Sequence, residues 1–228
     1  MTTVKETSRK DWRKTLSAVR ELMLTFPMYI VTHPFKGFDE MKNLKRGDMR
    51  YGVTIMVLAA LVALISQVYT GFVVTEIWHE TPFVHVPTVL LFTYSPILLF
   101  CVANWSVTTI TDGKGNMREI FLTYAYAMYP MLICTVIGVF VSNFLTLHEV
   151  AFATFFFAFG TFLQYFFLFI GLVVVHEYTF LKAVLMVFLT VLAMLVITFV
   201  LALMFSLFSN VIMIFWTVVM EINLHHLN

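Results

Sequence analysis

The chain has 228 residues, 61% of them hydrophobic and 12% charged, with a net charge of +1 and a mean hydropathy of +0.91. A soluble domain runs at roughly 45–50% apolar and about 25% charged residues, so this supply of charge cannot cover a surface in water. The composition excludes a nucleic-acid binder, a disulfide scaffold and a disordered chain, and predicts an all-α integral membrane protein. Cys101 and Cys134 both lie in apolar runs and read as free thiols.

Residues 1–50 form a basic segment with eleven of the fourteen Lys and Arg against six acids. Its one apolar stretch, Leu22–Val31, is interrupted by Pro27 and has no small-residue cleavage site, so the segment is expected to stay on the protein, on the cytoplasmic side. Leu16, Val19, Leu22, Met23 and Phe26 make an apolar stripe at helical spacing. His33-Pro34 breaks it, because proline pushes the preceding residue out of helical geometry. A second short helix from Pro34 would present Phe35, Phe38, Met41 and Leu44 to the membrane surface. Lys36, Lys42, Lys45 and Arg46 would meet anionic headgroups.

Residues 51–205 hold five stretches long enough to span, since about 20 apolar residues are needed. They fall near Gly52–Val74, Val86–Ile110, Ile120–Leu147, Val150–Val175 and Leu181–Phe205. With the N-terminus cytoplasmic, Lys114, Arg118 and Lys182 all fall inside, and the C-terminus falls outside. The last apolar run continues to Met220. Ser206, Ser209 and Asn210 suggest a bend, after which 206–228 would lie on the outer surface as an amphipathic helix with Trp216 at the headgroups. A sixth span is the rival, but too few residues remain for one.

The middle of the chain carries a recognisable order of motifs. Asn104-Trp105 precedes Thr111-Asp112-Gly113-Lys114-Gly115-Asn116, then Arg118-Glu119-Ile120-Phe121, then Tyr124-Ala125-Tyr126-Ala127-Met128-Tyr129-Pro130. With His33-Pro34-Phe35-Lys36-Gly37-Phe38 upstream, the chain resembles the Yip1-domain membrane proteins over roughly residues 20–205. The residues carrying the likeness are Pro34, Trp105, Gly113, Gly115, Tyr126 and Pro130. The resemblance implies five spans with the N-terminus inside. Eukaryotic members have longer N-terminal regions and act in vesicle traffic, often with small GTPases. This short basic N-terminus points to the bacterial branch, whose members look like accessory proteins, some encoded beside importers, including those for carbohydrates.

Catalytic patterns are missing. Gly113-Lys114-Gly115 lacks the phosphate-loop spacing and reads as a tight turn between spans. Neither His79-Glu80 nor His176-Glu177 has the second histidine of a zinc-protease helix. Gln67, Asn104, Asn143 and Gln164 are the polar residues within spans, with Pro96 and Pro130 as kinks; interhelical hydrogen bonds account for them more simply than a polar path. Glu76, His79, Glu80, Trp216 and Glu221 form a candidate outer docking face. The expectation is a non-enzymatic accessory or scaffold subunit of a bacterial cytoplasmic membrane assembly, without cofactor, metal or nucleic acid. Its partners would be the lipid bilayer and other membrane subunits, such as importer permeases or an extracytoplasmic protein. The alternatives are a stand-alone permease or channel, and a membrane-organising role through a cytoplasmic partner.

Overall fold

The computed structural model describes residues 25–78, 84–111 and 113–225, with backbone alone at 218, 219 and 221–225. Among these residues all regular structure is helical. Two short helices, α1 (Phe26–Thr32) and α2 (Pro34–Asn43), precede the first span, α3 (Met49–Tyr69). A one-and-a-half-turn helix, α4 (Phe72–Ile77), follows, then α5 (Val86–Ile110) and α6 (Met117–Ser142). A 3₁₀ turn at Leu147–Glu149 leads into α7 (Val150–His176), and α8 (Phe180–His225) ends the described chain. Among the described residues the protein thus has the expected five helices long and apolar enough to cross a bilayer.

Local chemistry sets the helix ends. The Asp48 carboxylate accepts the Arg50 N–H at 3.0 Å and starts α3 before the apolar run begins. Asn116 and Glu119 form a capping box at the head of α6. The first span ends at Tyr69 rather than Val74, because the chain turns at Gly71. There the Gly71 N–H donates to Ser142 Oγ at 2.8 Å, and a Cβ would strike the Ser142 carbonyl. Only glycine lets the end of α3 approach α6 this closely.

Helix α6 is the centre of the bundle. It packs most extensively on α7 and also meets α1, α3 and α5. The α6–α7 seam closes because Gly160 faces Cys134: a Cβ on the glycine would lie 2.7 Å from the cysteine Cβ. Without a hydrophobic force between helices in lipid, such close backbone approach supplies the dispersion contacts. On the other side of α6, Tyr126 stacks on Tyr51 with ring centroids 4.2 Å apart, and Phe26 meets it edge-on at 5.4 Å. Cys101 and Cys134 are free thiols.

Two expectations need correction. Helix α2 does not present its whole apolar stripe to the membrane. Phe38 and Met41 are buried in the protein, with Phe38 seated against Gly171 of α7 and Met41 against Gly47, while Phe35 and Leu44 stay exposed. Apolar residues three apart were assigned to lipid when part of them roofs the bundle. Lys42 and Arg46 likewise turn to Glu177 and Glu40. The stripe from Leu16 to Met23 lies outside the described residues.

The second correction concerns the C-terminus. The bend at Ser206, Ser209 or Asn210 is absent, and 206–225 continue α8 as one helix of 46 residues. Neither Pro nor Gly occurs between Phe180 and His225, so nothing interrupts the hydrogen-bond ladder. At 1.5 Å per residue α8 is ~69 Å long, about twice a ~30 Å hydrocarbon core.

Candidate functional site

All lysines and arginines among the described residues lie at one end of the bundle, where α2, the α5–α6 turn and the α7–α8 turn meet. A polar cluster of ion pairs and side-chain hydrogen bonds is built there. Helix α7 ends at His176, and Glu177 caps it in a left-handed conformation with φ 55° and ψ 41°. That geometry favours glycine and costs a larger residue about 1 kcal/mol or more. Side-chain contacts explain why a glutamate stands here. Its carboxylate accepts from Lys42 Nζ of α2 at 2.7 Å and from Lys114 Nζ of the α5–α6 turn at 2.6 Å. The Lys114 hydrogen bond, then that of Lys42, pulls the Glu177 carboxyl down to about 2.

Beneath this clasp His176 is buried, with 2% of its surface exposed. The Gly115 N–H donates to its Nδ1 at 3.2 Å, so Nδ1 is an acceptor and the ring hydrogen must sit on Nε2. Nε2 faces Asn104 Oδ1 at 3.1 Å. Asn104 in turn donates from Nδ2 to Thr190 Oγ1 at 3.1 Å, and Thr190 donates to the Met186 carbonyl at 2.8 Å. Tyr178 stacks on the imidazole at 5.2 Å, and the Lys182 ammonium lies 4.7 Å from the Tyr178 ring centre. One relay therefore ties the α5–α6 turn, α7, α5 and α8 together. Both ring nitrogens are occupied, so the imidazole holds structure and is not free to act as a base.

The glycine turn gains its reason here. Neither Gly113 nor Gly115 has a positive φ. They are needed for proximity: a Cβ on Gly115 would lie 2.6 Å from His176 Cε1, and one on Gly113 would lie 2.5 Å from the Tyr178 hydroxyl. Sequence reasoning named these glycines but missed His176 as their partner. The available signal was a histidine closing an apolar run, with a polar Asn104 in an earlier span.

The other motif residues are dispersed. Tyr126 and Pro130 are buried in α6, Pro34 opens α2, and Trp105 faces outward with 47% exposed. Of the polar residues within spans, Asn143 donates to the Tyr69 carbonyl and Gln164 to the Tyr124 hydroxyl, while Gln67 is exposed. Asn104, Asn143 and Gln164 thus join helices. At the far end of the bundle Glu76 is exposed on α4, and Trp216 is exposed on α8. Among the described residues no hydrogen bond, ion pair or ring contact joins these two. His79 and Glu80 lie outside the described residues, and Glu221 is described by its backbone alone. No group of three or more His, Cys, Asp or Glu is placed to hold a metal among the described residues.

A family model described as the Yip1 domain matches residues 28–202. That match takes in most of α1, all of α2 through α7, the glycine turn, the His176 relay and the first half of α8. The chain belongs to the Yip1 family. No curated protein and no solved structure matches it. The Yip1 domain ends at Ala202, within α8, so the helix runs on well past the part the family model matches.

Proposed function

We propose that this Yip1 protein is a non-enzymatic membrane scaffold that holds another membrane protein through the far half of α8. The observation that carries the reading is the surface of α8. Only 11% of its most apolar stretch is buried, and every residue from Leu201 to Thr217 is exposed. An apolar helix longer than the bilayer is thick must tilt, lie along the surface or be covered by a partner.

Finer features follow from the charge pattern. With the basic end in the cytoplasm, the N-terminus is inside and the end of α8 is outside. Glu76, His79, Glu80, Trp216 and Glu221 would then serve as an outer rim for an extracytoplasmic or membrane partner in a bacterial cytoplasmic membrane. Permease subunits of a carbohydrate importer are one class of partner with the right location. The engagement of both His176 nitrogens supports a non-enzymatic role.

The test is purification in mild detergent of the full chain and of a chain ending at residue 205, with mass spectrometry of whatever stays bound. The shortened protein is expected to remain monodisperse and to lose a stoichiometric membrane partner. Retention of that partner by the shortened protein would overturn the assignment to α8.

A further inference from the structure

We propose that the cleft between α7 and α8 binds a neutral membrane lipid with a flat, carbonyl-bearing ring and one long apolar chain, as in a prenylated quinone. The cleft has a volume of about 630 Å³, well inside the roughly 300–1,000 Å³ range of small-molecule sites. It runs along α8 from Val187 to Ala202, a length of ~22 Å by helical rise. It exists because α8 leans on α5 rather than on α7, so the two last helices part, and Pro96, Leu99 and Phe100 of α5 with Tyr124 of α6 are left as the floor.

No charged residue lines the cleft. An anion, a cation or a sugar would therefore be stripped of water with no compensation. Three of the residues that line it carry hydroxyls: Tyr124, Tyr165 and Thr198. The Tyr124 oxygen accepts from Gln164 Nε2 at 3.2 Å, which leaves its own hydrogen to donate. Tyr165 is 62% exposed, and its hydroxyl makes no hydrogen bond among the described residues. Thr190 and Thr217 of α8 each donate to the carbonyl four residues back, whereas Thr198 does not. Hydroxyls held in hydrocarbon with hydrogens to give select a ligand that brings an oxygen acceptor.

Depth decides which acceptor. Tyr124 lies four residues, or about 6 Å, inside the apolar run of α6, which begins at Ile120 after Arg118-Glu119, and Tyr165 lies eleven residues inside α7, or about 16 Å. In a hydrocarbon core of about 30 Å Tyr165 is far below the headgroups, where phospholipid ester carbonyls stay. The ligand must itself live in the hydrocarbon layer. Phe100, Phe169 and the two tyrosines put four aromatic rings into the lining, with Phe100 and Tyr124 in contact at 5.4 Å, which suits a planar ring, and the rest of the cleft suits an apolar tail.

The probe is a decyl-substituted benzoquinone, added to the full chain in mild detergent and followed by equilibrium binding and thermal unfolding. Saturable binding at one site is expected, with no displacement by phosphatidylglycerol at equal mole fraction. Tyr165→Phe should weaken it about five- to tenfold, the effect of one hydrogen bond, with unchanged unfolding temperature of the free protein. Val191→Trp should abolish it by filling the cleft, and Thr198→Val serves if that variant misfolds. Uptake that only follows the amount of detergent, displacement by phosphatidylglycerol, or full affinity in Tyr165→Phe would each overturn the proposal. Binding that survives truncation at residue 205 separates this site from the partner surface proposed for α8.

Discussion

Helices α6 and α8 are both apolar enough to span a bilayer, yet they sit in opposite circumstances. Half of the most apolar stretch of α6 is buried, against 11% for α8. What separates them is shape and pairing. Helix α6 offers small residues where backbones meet, Thr123, Ala125 and Ala127 among them, together with tyrosines that find rings to stack on. Helix α8 carries Phe, Leu, Met, Ile and Val around its whole circumference and has no glycine. In lipid, apolar character places a helix in the membrane, but small residues and matched polar groups place it against a neighbour. Entering the membrane and packing there are separate problems.

The contrast breaks first at the seam between α6 and α7. Gly160→Leu is expected to cost about 3 kcal/mol by overpacking, because the nearest atoms are the Cys134 Cβ and the Met131 backbone. Thermal unfolding in detergent should show this, while Leu207→Ala on α8 stays within about 0.5 kcal/mol of the parent. If Leu207→Ala is equally damaging, the far half of α8 is part of the fold.

Asn104→Ala comes next. It leaves the His176 ring N–H and the Thr190 hydroxyl without a shared partner, a loss of about 2 kcal/mol that the same unfolding measurement would detect. Gly115→Ala should lose about 1 kcal/mol by crowding, since the new Cβ meets a ring already held from both sides. A Gly115→Ala protein as stable as the parent would mean that the turn can withdraw without cost.

The smallest effect belongs to the Glu177 clasp, which is exposed and screened by salt. Because the folded carboxyl is held at about 2, below its ordinary 4.5, its contribution is complete above pH 4.5 and fades as pH falls toward 2. The unfolding temperatures of the parent and Glu177→Gln should therefore differ slightly at pH 6 and converge near pH 2. A difference that grows on acidification would contradict the ion-pair account.

Much of this architecture is legible in the sequence. Val86–Ile110 is read with its observed ends, since His85-Val86-Pro87 and the glycine turn mark them. The start of α3 is less legible, because its cap, Asp48, and first residues are polar and precede the apolar run. The continuity of α8 was obscured by Ser206, Ser209 and Asn210, which weaken a helix without stopping it. The His176 relay was hidden for another reason: its partners come from spans distant in sequence, and periodicity reports only what lies on one helix. The glycine turn could be seen, but not what the glycines make room for.

The seating of Phe38 bears on the order in which the protein is made. Phe38 precedes every span, but the surface that receives it includes Gly171 of the fourth span. A nascent chain leaves the ribosome from its N-terminus, so α2 emerges long before its seat exists. Until α7 has entered the membrane, that helix must wait at the membrane surface with Phe38 uncovered. The last event in assembly at this end is thus the docking of one of the first segments synthesised, and a protease added to ribosome-bound chains should cut α2 until the fourth span is complete.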